Sequence, residues 1–189
     1  MNVTGIILSG GQSTRMGQDK GLIQLNGKPM IQHVIDNLSP ICDQILISAN
    51  EKGYEHFDYP VHKDVISNIG PAGGIITCLN HSTNQKNVVI SCDLPFASTT
   101  LIQKLLDLSG DYEITLPKSG QYYQPLCAIY SKDVYIRLRS FVSGGVYSLR
   151  SIITELHAQV IEEGDIAEFD LAKELKNINS PDDLDNLNL

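Results

Sequence analysis

Short apolar runs alternate with helix-type patterns through the first hundred residues of the chain. The runs that indicate buried strands are Val3 to Ser9, Ile45 to Ala49 and Val88 to Cys92. Helical spacing follows Pro29 as far as Ser39 and returns at Gly74 to Leu79 and Thr100 to Leu108. This alternation predicts an α/β fold, in which a mostly parallel sheet carries helices on both faces as a three-layer α/β/α arrangement. Ligands of such sheets bind at the carboxyl ends of the strands.

The second half of the chain is less regular. Its predicted strands are Tyr112 to Leu116, Pro125 to Tyr130 and Ala158 to Ile161, and its predicted helices are Lys132 to Phe141 and Ser148 to His157. Ser98 is a candidate N-cap for the helix that begins at Thr100. Ser180-Pro181-Asp182-Asp183 has the N-cap, proline and acidic first turn that start a final helix. We expect a single domain over residues 1–189.

The overall composition excludes several classes of protein. Apolar residues make up 42% and charged residues 19%, which is ordinary for a folded domain. A net charge of -8 without a basic cluster argues against a nucleic-acid partner, because phosphate backbones are bound by grouped Lys and Arg. The four cysteines lack zinc-ligand spacing, and no apolar run approaches the length of a membrane span. We expect a soluble, cytoplasmic protein with neither a nucleic-acid nor a membrane partner.

The strongest motif follows the first predicted strand and runs from Leu8 to Lys20. It reads Leu8-Ser9-Gly10-Gly11-Gln12-Ser13-Thr14-Arg15-Met16-Gly17-Gln18-Asp19-Lys20. Glycines let backbone N–H groups approach a phosphate, and Arg15 and Lys20 add the positive charge that a triphosphate requires. The spacing matches neither the Walker A loop nor the G-x-G-x-x-G loop of dinucleotide folds. A solvated turn is the other interpretation, and the combination of strand, glycine pair and cations favours phosphate binding.

Asp93 follows the apolar run Val88 to Cys92, which places it at the carboxyl end of a predicted strand. Mg²⁺ prefers hard oxygen ligands and commonly takes one or two carboxylates together with substrate phosphates. A turn cap before Pro95 is the alternative role for this aspartate.

These motifs resemble those of the molybdenum cofactor guanylyltransferase family, whose loop reads L-A-G-G-x-x-x-R-M-G-x-D-K, with Ser9 in place of its alanine. The resemblance continues nearly to the end of the chain, through Leu25-Asn26-Gly27-Lys28-Pro29, Asp64, Gly70-Pro71-Ala72-Gly73-Gly74, Cys92-Asp93-Leu94-Pro95-Phe96 and Asn177-Ile178-Asn179-Ser180-Pro181. It implies a Rossmann-like fold of the nucleotide-diphospho-sugar transferase type. The chain has Ser48-Ala49-Asn50 where the family often has N-A-N, which leaves open any base contact at the first position and the roles of Ser48 and Asn50.

The resemblance also implies roles for individual residues. Arg15, Lys20 and Asp93 would be catalytic, and Asp93 would bind Mg²⁺. The nucleotide would contact Leu8, Ser9, Gly10, Gly11, Lys20, Asp64, Gly70, Gly74 and Asp93. The acceptor would contact Asn177 and Asn179, although a turn before Ser180 explains Asn179 nearly as well. Aspartate can accept hydrogen bonds from the guanine edge or from ribose, and the sequence leaves both open for Asp64.

The implied reaction transfers GMP from GTP to molybdopterin that carries molybdenum, forming molybdopterin guanine dinucleotide and pyrophosphate. A molybdoenzyme or a cofactor-delivery protein would be the protein partner. A cytidylyltransferase for the same cofactor and a transferase for another phosphorylated acceptor share this fold and chemistry. A non-catalytic nucleotide-binding module is the alternative from a different class.

Overall fold

A computed structural model describes residues 2–10, 19–179 and 183, and strands and helices are interspersed along the chain. The strands are β1 (Val3–Leu8), β2 (Gln24–Leu25), β3 (Lys28–Pro29), β4 (Gln44–Ser48), β5 (Val61–His62), β6 (Lys86–Ser91), β7 (Ile114–Ser119), β8 (Tyr122–Tyr123), β9 (Cys127–Ser131) and β10 (Ala158–Ile161). The helices are α1 (Met30–Leu38), α2 (Pro71–His81), α3 (Thr99–Leu108), α4 (Val134–Ser143), α5 (Leu149–Ile153) and α6 (Leu171–Glu174). Three 3₁₀ turns span Lys20–Leu22, Glu55–Phe57 and Glu163–Ile166.

The main sheet has the strand order β10-β7-β9-β6-β1-β4-β5, with β8 paired to β7 and a separate β2-β3 hairpin. Neighbouring strands are parallel from β6 through β1 and β4 to β5, and β10 is parallel to β7. Only β9 runs antiparallel to both of its neighbours along this order. It follows β7 through a short connection that carries no helix, and such connections produce antiparallel neighbours. The predicted mostly parallel sheet is confirmed.

Two hydrophobic cores cover the two faces of the sheet. Along β1, Val3 and Ile7 point into the core beneath α1 and α3, whereas Ile6 and Leu8 point into the core beneath α2, α4 and α5. This alternation follows from the two-residue period of a strand. The predicted three-layer α/β/α architecture is therefore confirmed. Among the described residues, no helix is both long enough and apolar enough to cross a bilayer.

Several predicted boundaries need correction. The helix expected over Ser148 to His157 ends at Ile153, because His157 is already joined to the sheet through its carbonyl, which accepts from the Glu113 backbone N–H at 2.9 Å. The helix expected to begin at Gly74 begins at Pro71, since proline fits the first turn of a helix. Ser98 caps α3 as predicted, and its hydroxyl accepts from Leu101 N–H at 3.2 Å.

The end of the chain is described only in part. Of the predicted helix start, Ser180, Pro181 and Asp182 lie outside the described residues. Asp183 is described, and its carboxylate accepts a 2.8 Å hydrogen bond from the Asn179 N–H.

Candidate active site

Four adjacent parallel strands end at the same edge of the sheet, and each places a polar or glycine residue two positions beyond its end. These residues are Gly10 after β1, Asn50 after β4, Asp64 after β5 and Asp93 after β6. The strand register aligns the ends of β1, β4 and β6. The strand order reverses around β1, whose chain-order successors lie on opposite sides of it, and ligands of open α/β sheets bind at such switch points.

Lys20 and Asp93 meet at this edge, as expected if the glycine-rich segment and the tip of β6 serve one ligand. The Lys20 ammonium lies 3.5 Å from Asp93 Oδ2 and donates to Asn179 Oδ1 at 2.6 Å. The side chain of Asp93 is 16% exposed and that of Lys20 is 29% exposed. The segment after α6 is attached here because the Ile178 N–H donates to the Asp93 carbonyl at 3.0 Å. Asn177 is exposed beside it.

The donor set around the Lys20 ammonium is compatible with a magnesium ion. One carboxylate and one amide oxygen, from Asp93 and Asn179, converge on a position that already holds a positive charge. The described residues contain no cluster of three or more acidic, histidine or cysteine side chains that could hold a metal on their own. Magnesium characteristically completes its shell with substrate phosphates and water, so this small set is sufficient only when a phosphorylated ligand is bound.

Asp64 is fixed by two residues whose contribution the sequence left open. Its Oδ1 accepts from the Ser48 hydroxyl at 2.8 Å, and its Oδ2 accepts from the Asn50 amide at 3.1 Å. Asn50 Oδ1 in turn accepts the Asp64 backbone N–H at 3.0 Å. Ser48 ends β4 and Asn50 follows it, so their position at the end of the predicted strand Ile45 to Ala49 was the available signal. The Asp64 carboxylate is therefore held in one orientation at the edge of the sheet where the four strands end.

The two candidate glycines near α2 have different environments. Gly70 is exposed and precedes the helix with φ 67° and ψ -155°, a conformation that is essentially confined to glycine. Gly74 is buried inside α2, where an added Cβ would lie 2.5 Å from Ser48 Oγ and 3.0 Å from a methyl group of Leu8. Close packing of helix and strand thus accounts for Gly74, whereas Gly70 lies in the loop that a ligand could approach.

Leu8, Ser9 and Gly10 begin the glycine-rich motif at the end of β1. Leu8 is a core residue whose carbonyl accepts from Cys92 N–H at 3.0 Å. Ser9 is buried, and Gly10 is exposed with the Asn50 amide 4.0 Å from its ideal Cβ position. The remaining two candidates, Gly11 and Arg15, lie outside the described residues.

Cys92 is the nucleophilic side chain adjacent to Asp93 in sequence, and it is fully buried. Burial raises the pKa of its thiol to about 12, so the group stays neutral near physiological pH. The thiolate is the reactive form of cysteine. The geometry therefore favours chemistry by alignment and charge neutralisation without a covalent intermediate on Cys92.

Known proteins resemble the chain over most of its length. Residues 5–160 match the MobA-like NTP transferase domain. The chain belongs to this family. It is 34% identical over 188 residues, covering 99% of this chain and 97% of the relative, to a probable molybdenum cofactor guanylyltransferase of Flavobacterium johnsoniae. It is also 34% identical to the molybdenum cofactor guanylyltransferase of Vibrio vulnificus, covering 95% and 91% of the two chains.

Solved structures show the same fold at lower sequence identity. Molybdopterin-guanine dinucleotide biosynthesis protein A from Archaeoglobus fulgidus superimposes with a TM-score of 0.81 at 24% identity, covering 96% of this chain and 95% of its own. The 2-C-methyl-D-erythritol 4-phosphate cytidylyltransferase of Thermus thermophilus has a TM-score of 0.73 at 12% identity, covering 97% and 96%. The predicted nucleotide-diphospho-sugar transferase-like architecture is confirmed by these neighbours.

Proposed function

We propose that this nucleotidyltransferase moves GMP from GTP onto molybdopterin that carries molybdenum, forming molybdopterin guanine dinucleotide. The observation that carries the proposal is the convergence of Lys20, Asp93 and Asn179 at the edge where the sheet presents its strand ends. The family and the names of full-length relatives at 34% identity support the same substrates. All four cysteines are free thiols, and we place the reaction in the cytoplasm, where thiols stay reduced.

The transfer needs one bond to form and one to break. An oxygen of the acceptor phosphate attacks the α-phosphorus of GTP, and the bond from that phosphorus to the bridging oxygen of the β-phosphate breaks, so that pyrophosphate leaves with both electrons. A phosphate monoester is already largely ionised near neutral pH, so no general base has to remove a proton. What the protein must supply is alignment of two anions and compensation of their repulsion.

Each candidate residue at the edge would have a part in that task. Lys20 would bind phosphate oxygens of GTP, and Arg15 would add a second cation. Asp93 and Asn179 would hold Mg²⁺, which neutralises phosphate charge when it is bound. Asp64, oriented by Ser48 and Asn50, would accept hydrogen bonds from the guanine edge or from ribose. Asn177 would contact the acceptor, and a molybdoenzyme or a delivery protein would receive the product.

The decisive experiment replaces the carboxylate at the end of β6. In Asp93→Ala we expect magnesium-dependent release of pyrophosphate from GTP and the molybdenum-loaded acceptor to fall about 100-fold or more, since the carboxylate that would hold the charge-compensating Mg²⁺ is lost. Asp107→Ala is the matched control, because Asp107 is an exposed aspartate of α3 whose carboxylate accepts only from Gln103 on its own helix among the described contacts. Full turnover by Asp93→Ala would refute the assigned role.

Substrate choice is tested with the wild-type protein. Products are followed by ³¹P detection with GTP, CTP, ATP and UTP in turn, each with and without the molybdopterin acceptor. Of the four nucleotides, we expect only GTP to be turned over, and only when the acceptor is present. Preference for CTP would assign the chain to a cytidylyltransferase of the same fold, and nucleotide binding without pyrophosphate release would assign it to a binding module.

A further inference from the structure

A single buried phenol joins the two ends of the segment that lies between Ser9 and Asp19. Tyr54 follows β4, and its side chain is completely buried in the core that α1 and α3 cover. Its hydroxyl accepts a 2.6 Å hydrogen bond from the Ser9 hydroxyl and donates a short one to Asp19 Oδ1. The Tyr54 hydroxyl thereby joins Ser9 and Asp19, which are ten positions apart in sequence.

Asp19 connects this phenol to Lys20. Asp19 is the N-cap of the 3₁₀ turn Lys20–Leu22, and its Oδ1 also accepts from the Gly21 N–H at 3.2 Å. The same carboxylate oxygen therefore serves both Tyr54 and the turn. Since Lys20 is the first residue of that turn, the orientation of Asp19 determines where the lysine side chain starts.

The space around the three groups leaves them little freedom. An added Cβ on Gly21 would lie 2.3 Å from Ser9 Oγ and 2.6 Å from the Tyr54 hydroxyl. Ser9 is itself fixed, because its backbone N–H donates to the Ser48 carbonyl at 2.7 Å. A real Cβ does not tolerate such distances, so a side chain at position 21 would displace the phenol or the turn.

The direction of the hydrogen bonds is also fixed. Burial raises the pKa of the Tyr54 hydroxyl well above its usual range, and the hydrogen bond to Asp19 raises it further. The phenol therefore keeps its proton at every physiological pH and donates it to the Asp19 carboxylate. A hydrogen bond to a charged acceptor is about twice as strong as a neutral one, and burial away from water makes it stronger still.

We infer that Tyr54 is a positioning residue, which acts through Asp19 to hold Lys20 in the place where it meets the triphosphate. The identity of the ligand rests on the proposed function. Tyr54 lies in the hydrophobic core and needs no contact with the nucleotide itself. Its effect is expected on the phosphate end of GTP, where Lys20 acts, and not on the guanosine end.

The test compares GTP and GMP binding by Tyr54→Phe, which keeps the buried ring and removes the hydroxyl. We expect the dissociation constant for GTP to rise about tenfold, in keeping with the loss of a buried hydrogen bond to a charged group. The dissociation constant for GMP, which lacks the β- and γ-phosphates, should stay within about twofold of wild type. Titration calorimetry with magnesium and without acceptor measures both.

The matched control is Tyr130→Phe, because Tyr130 is also completely buried and donates to the Pro125 carbonyl at 3.0 Å on the opposite face of the sheet. Tyr130→Phe should lose about as much stability as Tyr54→Phe and should keep the wild-type affinity for GTP. A double-mutant cycle then tests the route: Tyr54→Phe combined with Asp19→Ala should bind GTP as weakly as Asp19→Ala alone, within about twofold.

The outcomes separate this inference from the proposed function. Equal weakening of GTP and GMP in Tyr54→Phe, or losses that multiply in the double variant, would overturn the positioning role. GTP affinity that falls in Lys20→Ala but stays normal in Tyr54→Phe would also overturn it, and would leave the function standing. GTP affinity that is unchanged in Lys20→Ala would instead contradict the proposed function at this site.

Discussion

Replacing Gly74 by alanine should disturb Asp64, although the two residues lie on different elements. The new Cβ would lie 2.5 Å from Ser48 Oγ and 3.2 Å from Ser48 Cβ. The same Ser48 hydroxyl donates to Asp64 Oδ1 at 2.8 Å. Either the hydroxyl turns away, which breaks the hydrogen bond that orients the Asp64 carboxylate, or the helix shifts. We expect the hydroxyl to turn, because it is the smaller movement.

The size of the effect comes from opposing contributions. Forcing an extra carbon into a packed contact costs about 1–3 kcal/mol. Alanine inside a helix gains about 1 kcal/mol over glycine. Loss of the Ser48 to Asp64 hydrogen bond adds about 1 kcal/mol, because the aspartate is partly solvated and water replaces some of the bond. We expect the free energy of unfolding of Gly74→Ala to fall by about 1–3 kcal/mol.

The assay combines urea denaturation with GTP titration. Gly164→Ala is the control, because an added Cβ at Gly164 meets no atom within 4 Å; its stability should change by less than about 0.5 kcal/mol. The double variant Ser48→Ala with Gly74→Ala removes the oxygen that the new Cβ meets. Its stability should recover most of the loss, while its GTP affinity stays as low as in Ser48→Ala alone. A double variant no more stable than Gly74→Ala would refute the steric argument.

Two further predictions concern the same edge of the sheet. Gly70→Ala should lower the free energy of unfolding, measured by urea denaturation, by about 1–3 kcal/mol. Backbone strain alone is the cause, because φ is 67° while an added Cβ meets nothing within 4 Å. Stability equal to that of Gly164→Ala would contradict this. Burial lowers the pKa of His62 below 6.5, and the neighbouring His81, whose ring stacks at 3.9 Å, lowers it further. The unfolded chain therefore binds a proton more readily than the folded chain does, and the free energy of unfolding should fall as the pH drops through 6.5. Denaturation midpoints between pH 7 and about pH 5 should decline less in His62→Asn than in wild type, and equal declines would exclude His62 as a source.

The sequence predicted the parts of this molecule that depend on local patterns. The buried strands β1, β4 and β6 are apolar and β-branched, so their runs stood out, and Asp93 could be placed at a strand end from its position alone. The two-residue strands β2, β3, β5 and β8 are too short to have a period. The reversed direction of β9 depends on which strands pair, which no local pattern records.

The partners of the site residues escaped prediction for a related reason. Ser48 and Asn50 contact Asp64 across 16 and 14 positions, and Tyr54 contacts Ser9 across 45. In the sequence Tyr54 cannot be told from an ordinary core aromatic, and only the fold shows that its hydroxyl faces the motif that begins at Leu8. The residues predicted to touch a ligand lie in glycine-rich or strand-end motifs, whereas residues that orient them can lie anywhere that the fold brings close.

An acidic chain with a net charge of -8 can serve an anionic ligand because the carboxylates at the edge already have hydrogen-bond donors or a cation beside them. Asp64 accepts from Ser48 and Asn50, and Asp93 lies beside Lys20. A single ammonium compensates one negative charge, so a triphosphate bound as proposed would compete with Asp93 for Lys20. If Lys20 turns to the phosphates, Asp93 needs another cation. Under the proposed function the magnesium that accompanies GTP supplies it, and for this reason we expect metal and nucleotide to bind together more tightly than either binds alone.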